Sequence, residues 1–319
     1  MIISKCPLRV SLVGGGTDLQ EFIDENGYGS VVSFPCNLYT YINLFCDKNG
    51  MNAINGKYVI NYTRKEEVDS LNEIKNDVAR VCLQHFNLPP CQISFHSDIS
   101  SYGSGLAASS AYVINTIHAI KEYFKIKLPY SEVCSLALSL ERKFNPRTGA
   151  QDIYGCGLGG FKKLTFYKDG RVKATMFHET FIDEFDKYLI HTGVTRSSTK
   201  ILESIDIKKL KSTLPLVDDF EKAIKSRDSE AFFSIIKEGW VKKKESSPLV
   251  ISDTGIEEID RSLSSCKRVK AYKLCGAGGG GYFLIFTEKG FDVSSELPDL
   301  EKNCFKINID SRGVRSKMV

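Results

Sequence analysis

The 319-residue sequence has no run of 18 apolar residues, so no transmembrane helix is predicted. Its ten cysteines form no C-x-x-C pair, and its five histidines show no H-x-x-x-H or H-E-x-x-H spacing, so the usual zinc signatures are missing. No G-x-S-x-G elbow is present. A strong charge of one sign is also lacking. There are 43 basic and 39 acidic residues, a net +4, and they alternate in stretches such as "EKAIKSRDSE". That mixture excludes a basic stripe, and no nucleic-acid partner is expected. The opening "MIISKCPLRVSLVGGG" lacks a long apolar core and a cleavage site, so it does not read as a secretory signal. The cysteines are therefore expected to be reduced and structural, the location cytoplasmic, and no membrane partner is expected.

Hydrophobic residues make up 42% and charged residues 26%, the balance of a soluble globular chain, and the length suits two domains. Residues 2–13 read as a strand that breaks at Gly14, Gly15 and Gly16, and "YGSVVSFPCNLYTYINLFCD" reads as strand pairs. "EEVDSLNEIKNDVARVCLQHFN" has helical spacing throughout. "YSEVCSLALSLERKFN" predicts a helix capped by Ser131, and "PRTGAQDIYGCGLGG" predicts a loop. A hairpin is expected to turn at Asp169-Gly170, helices dominate 197–246, and "RVKAYKLCGAGGGGYFLIFTE" reads as strand, glycine loop, strand. Strands and helices mix in both halves, which gives an α+β class with domains at 1–180 and 181–319.

Three glycine-rich segments carry the chemistry. In "PLRVSLVGGGTDL", Arg9 and Asp18 bracket a turn where backbone can approach a ligand; an arginine suits phosphate oxygens and an aspartate suits sugar hydroxyls. In "GSGLAASSA", from Gly103, small residues open the first turn of a helix, whose free N–H groups and partial positive charge suit a phosphate. No lysine follows its last glycine, so it is not a Walker A loop. In "GAGGGG", Gly276 to Gly281, a strand follows rather than a helix, which rules out a dinucleotide fingerprint and leaves a loop closing over a ligand. Glu141 and Asp152 add carboxylates that, with a serine, suit Mg²⁺.

Together, in order, these segments resemble the motifs of the GHMP small-molecule kinases, over nearly the whole chain from Pro7 to Leu284. The resemblance implies a two-domain fold, with an N-terminal α+β domain like ribosomal protein S5 and a ferredoxin-like C-terminal α+β domain. It implies ATP and Mg²⁺ as cofactors and a small-molecule sugar or sugar phosphate as partner, with a possible homodimer. Within the family, "GGGTD", "GAQDIYG" and "HTGVTRSS" look most like the kinases that phosphorylate D-glycero-D-manno-heptose 7-phosphate at its anomeric hydroxyl. Fucose- or galactose-type kinases are the alternative, and a non-catalytic ligand-binding regulator on the same fold stands behind them.

By position, the resemblance makes Asp152 the catalytic aspartate and Arg9 the basic residue at the transferring phosphate. Gly103, Ser104, Gly105, Leu106, Ala107, Ala108, Ser109 and Ser110 become the phosphate cradle. Ser109 and Glu141 become the Mg²⁺ ligands. Gly16, Thr17, Asp18, Arg147, Gln151, Arg196, Gly278 and Gly279 become acceptor contacts. The sequence departs from the pattern in three places. Ala107-Ala108 replaces a Gly-Ser pair, Ser100 and Ser101 replace prolines, and Ala150 stands where the heptose kinases have lysine.

Overall fold

The computed structural model describes residues 1–46, 54–100, 103–195, 201 and 203–319. Its backbone is a 12-residue strand, β1 (Ile2–Val13), paired along its length with a 19-residue strand, β2 (Tyr28–Cys46). Helix α1 (Gln20–Asn26) lies between them in the chain. β2 is long enough to hold two further neighbours on one edge. Its second half pairs with β5 (Cys91–Ser97) and its first half with β6 (Lys162–Tyr167). β3 (Tyr58–Asn61), β4 (Lys65–Val68) and β7 (Val172–Met176) extend the sheet to seven strands, and an eighth joins it after the chain has built a second sheet. Only β3 and β5 run parallel. β6 and β7 form a hairpin with Gly170 at φ 84°, as the Asp-Gly pair predicts.

The second sheet is antiparallel, in the order β11-β8-β10-β9, from β8 (Asp186–His191), β9 (Val269–Leu274), β10 (Tyr282–Thr287) and β11 (Cys304–Ile307). The chain then returns to the first sheet. Ile309 bridges Cys36, and β12 (Arg315–Met318) pairs with the outer edge of β1. Among the described residues no helix is long and apolar enough to cross a membrane.

The helices cover one face of the first sheet. α2 (Asp77–His85), α3 (Ala108–Phe124), α4 (Tyr130–Glu141) and α5 (Ala150–Gly157) follow in order. α3 is central, and its Val113, Ile114, Ile117 and Ile120 are fully buried. Each such side chain stabilises the fold by about 1.5–3 kcal/mol relative to exposure.

Three local expectations are corrected. The helical spacing from Glu66 yields strand β4, then a single 3-10 turn, and α2 starts only after Asn76. The Glu66 carboxylate accepts the N–H groups of Lys75 and Asn76, and the Asn76 side chain accepts Ala79 N–H, so the helix is capped there. Ser131 caps nothing, because α4 begins at Tyr130 behind Pro129. The stretch predicted as a loop around Asp152 contains helix α5. Ala150, Gln151, Ile153, Tyr154 and Cys156 are all buried, so packing overrides the glycines.

Candidate active site

A cavity of about 580 Å³ opens between β1, the start of α3, α5 and the glycine loop that joins β9 to β10. That volume suits small-molecule ligands.

One end is built for an anion. α3 has no side-chain cap, and its first intrahelical bond runs from Ala111 N–H to Ala107 O. The N–H groups of the preceding turn are thus free for a ligand at the positive end of a 17-residue helix. Ala107, the residue before the helix, has φ 64°, a left-handed conformation that disfavours any side chain. Gly105 packs so closely on the other loop that a Cβ on Gly276 would sit 2.5 Å from its Cα.

Asp152, in the first turn of α5, forms the best-defined ion pair of the cavity wall. Arg9 on β1 donates through Nε (2.9 Å) and Nη2 (2.6 Å), both to Oδ1 of Asp152. Its Nη1 donates to Gly105 O at 2.8 Å, so one guanidinium ties the aspartate to the loop before α3. Asp152 lines the cavity, and both bonds from Arg9 fall on Oδ1 rather than Oδ2. α5 itself is held from behind. The buried Lys162 on β6 donates Nζ to the carbonyls of Gly155, Leu158 and Gly160. Burial lowers this ammonium to about 7, and the three carbonyls at the helix end are what keep it seated.

Asp18 forms the opposite wall. It accepts Gly16 N–H (3.1 Å) and Gln151 Nε2 (2.8 Å) on Oδ1, and Gln151 N–H (3.0 Å) on Oδ2. Burial, aided by the charge of Asp152, lifts its carboxyl to about 6. Only glycine fits at 149, where a Cβ would lie 2.1 Å from Asp18 Oδ2. Gln151 Oε1 is buried without a partner among the described residues, a free acceptor beside the cavity.

Glu141, at the end of α4, is 1% exposed and lies beside Ser110, Thr148 and Ser109. Burial lifts its carboxyl to about 7, the Ser110 hydroxyl pulls the other way, and Asp152 adds to the rise. Its Oε2 is buried with no hydrogen-bond partner among the described residues. An orphaned carboxylate oxygen beside the exposed Ser109, next to a phosphate cradle, fits a hard cation. Among the described residues no group of three His, Cys, Asp or Glu side chains could hold a metal by itself. A magnesium ion held by two protein oxygens, phosphate and water needs no such group.

The predicted residues divide clearly. Arg9, Gly16, Asp18, Gly103 to Gly105, Ala107 to Ser110, Glu141, Gln151, Asp152 and Gly278 all line the cavity. Leu106 points into the core, fully buried. Thr17 is also fully buried, its hydroxyl bonded to Gly14 O and Ser30 O, so it shapes the turn rather than meeting an acceptor. Arg147 is not in the cavity wall; it pairs with Glu21 at 3.0 Å. Gly279 also lies outside the wall, its N–H bonded to Val250 O. Arg196 lies outside the described residues.

Two lysines on the wall escape sequence reading. Lys243, on the helix Ser229–Ser246, donates to Leu274 O and Gly276 O. Lys273 on β9 donates to Leu12 O at 2.6 Å. Lys243 hides in the solvated-looking run "KKKES". Lys273 could have been found, because it shares an alternating face with the buried Val269 and Ala271.

Residues 72–160 match the family described as GHMP kinases N terminal domain. The D-glycero-alpha-D-manno-heptose 7-phosphate kinase of Campylobacter jejuni is 29% identical over 99% of this chain and 98% of its own. Residues 72–160 thus carry a GHMP kinase N-terminal domain, and the whole chain is similar to sugar kinases that share it. A galactokinase of Thermotoga petrophila is 22% identical over 98% of the chain and 97% of its own length. A solved D-glycero-D-manno-heptose 1-phosphate kinase from Bacteroides thetaiotaomicron superposes with a TM-score of 0.79 at 21% identity, covering 100% of this chain and 99% of that one. A mevalonate kinase structure gives 0.72 at 19% identity, over 97% and 99%. These structures share the GHMP kinase fold. GHMP kinases use ATP.

Proposed function

We propose that this chain acts as a GHMP kinase and transfers the γ-phosphate of ATP to the anomeric hydroxyl of D-glycero-D-manno-heptose 7-phosphate, giving the 1,7-bisphosphate. The observation that carries the reading is the Arg9–Asp152 pair, tied to the Gly105 loop beside an uncapped helix start. The full-length likeness to a heptose 7-phosphate kinase supports the choice of acceptor.

The roles follow from the geometry. The N–H groups at the start of α3 hold ATP phosphates. Asp152 Oδ2 accepts the proton of the anomeric hydroxyl as its oxygen bonds to the γ-phosphorus and the bond from that phosphorus to the β-bridging oxygen breaks. Arg9 keeps Asp152 oriented and places positive charge beside the transferring group. Asp18 and the free Gln151 Oε1 accept further sugar hydroxyls. Ser109 and Glu141 would hold Mg²⁺, which supplies charge neutralisation for the phosphates.

The test is ADP release with Mg-ATP against heptose 7-phosphate, mannose, fucose, galactose and phosphorylated hexoses. Turnover confined to phosphorylated sugars supports the proposal. Turnover with free galactose or fucose instead moves the acceptor to the unphosphorylated class and rejects heptose 7-phosphate.

A further inference from the structure

Lys243 and Lys273 stand on the cavity wall supplied by the second half of the chain, one from the helix Ser229–Ser246 and one from β9. Lys273 is only 7% exposed. Among the described residues neither ammonium has a carboxylate within ion-pair distance. The acids that share the wall are Asp152, facing Arg9; Asp77, facing Arg80; Asp18, holding three N–H groups; and Glu141 beside the serines. Each charge is instead cradled by carbonyls. An ammonium carries three donors. Lys243 spends two, on Leu274 O and Gly276 O, and Lys273 spends one, on Leu12 O. The remaining donors have no protein acceptor among the described residues. The two charges also oppose each other: burial first, and then Lys273, drives the Lys243 ammonium well below its usual value, and burial lowers Lys273 to about 8. Two like charges buried together without a counter-ion are costly in an empty cleft, and an incoming dianion removes that cost.

We propose that Lys243 and Lys273 form a phosphate-binding subsite for the phosphomonoester that the acceptor sugar already carries. This rests on the kinase reading of the same cleft. Leu12, which Lys273 touches, lies three residues beyond Arg9 on β1, about 10 Å at the rise of a strand. Lys273 is thus set apart from Arg9 along β1, while Lys243, bonded to Gly276 O against Gly105, reaches back towards the Arg9–Asp152 pair. Arg147 pairs with Glu21 away from the cavity wall, so it does not compete for this role.

Lys243→Met and Lys273→Met are compared with the wild type for KM and kcat. Each should raise KM for heptose 7-phosphate at least ten-fold while KM for Mg-ATP stays within two-fold, and Lys→Arg at either position should recover most of the loss. An unchanged acceptor KM, or a rise only in KM for ATP, overturns the proposal. If the Met variants do not fold, inhibition of the wild type by inorganic phosphate decides: competition against the sugar phosphate supports the subsite, and competition against ATP alone overturns it. If the wild type turns over no sugar, the kinase reading fails separately. Calorimetry with inorganic phosphate then reads the subsite: binding lost in the Met variants supports it as a phosphate site, and binding retained or absent in the wild type rejects it.

Discussion

Asp152 and Asp18 lie in one cavity, yet they are held in opposite ways. Asp152 is fixed by a guanidinium on one oxygen and leaves the other open. Removing that carboxylate should therefore remove chemistry and spare nucleotide binding. Asp152→Ala is expected to lower kcat by about 10²–10⁴, the usual worth of a positioned acid or base, with ATP affinity by calorimetry unchanged. Asp18 is held only by neutral N–H donors, and burial lifts it to about 6. Its ionised form is the better acceptor for sugar hydroxyls, so kcat/KM for the sugar should rise with pH through about 6. Stability runs the other way. The folded chain binds this proton more tightly than the unfolded chain, so the stabilising contribution is full below the ordinary value of 3.8 and declines as pH rises through about 6. A kcat/KM profile that is flat around pH 6 would reject the assignment. Ala107 offers a third test. It holds φ 64° at a position where the family motif has glycine. Relief of about 1–2 kcal/mol of left-handed strain, less about 0.4–1 kcal/mol of chain entropy that glycine adds, gives a net gain of up to about 1.6 kcal/mol. Ala107→Gly should raise Tm by a few degrees in a thermal melt.

At the scale of elements, the site depends on α5, eight residues that carry Asp152 and Gln151. So short a helix has little stability of its own. Lys162 supplies what is missing by bonding three carbonyls at its far end. Lys162→Met leaves those buried carbonyls unpaired, at about 1–3 kcal/mol for each that water does not reach. The variant should melt earlier and lose kcat while keeping KM for ATP, since the start of α3 does not depend on Lys162. A fall in ATP affinity larger than the fall in kcat would contradict this division. The same elements mark the limit of what the sequence reveals. The glycine segments are legible because small residues and positive φ are local requirements, and Arg9 lies within the first of them, whereas Glu141 and Asp152 meet them only in the folded cavity. α5 was read as a loop because its glycines and short length look like one, and the contact that makes it a helix comes from β6. Lys243 and Lys273 were missed because charge on the surface and charge in a cavity look alike along a chain. Thr17 and Arg147 were read as acceptor contacts because sequence gives adjacency to a site, not the direction a side chain takes.

Across the whole molecule, the segment from Ile309 to Met318 returns from the second sheet to the outer edge of β1. Asp310 fastens it. Its carboxylate accepts from Arg315 at 2.9 Å, from the Tyr39 hydroxyl at 2.8 Å, and from the N–H groups of Arg312 and Gly313. Asp310 is 6% exposed, so its loss strands a guanidinium and several donors. Asp310→Ala is expected to cost about 3–5 kcal/mol, read by denaturant unfolding as a lower midpoint. A midpoint equal to the wild type's would show that the tail is held by strand pairing alone.

The returning strand also sets a timetable. β12, the neighbour that covers the outer edge of β1 at Ile2 to Lys5, leaves the ribosome long after β1 does. From the end of β7 at Met176 to the start of β12 at Arg315, roughly 140 residues must still be translated, about 10–30 s at cellular rates. Throughout that interval the nascent sheet carries an open row of N–H and C=O groups, which invites pairing with other emerging chains. Chaperone demand for this sheet should therefore be greatest during that interval, and should fall once β12 covers the edge of β1.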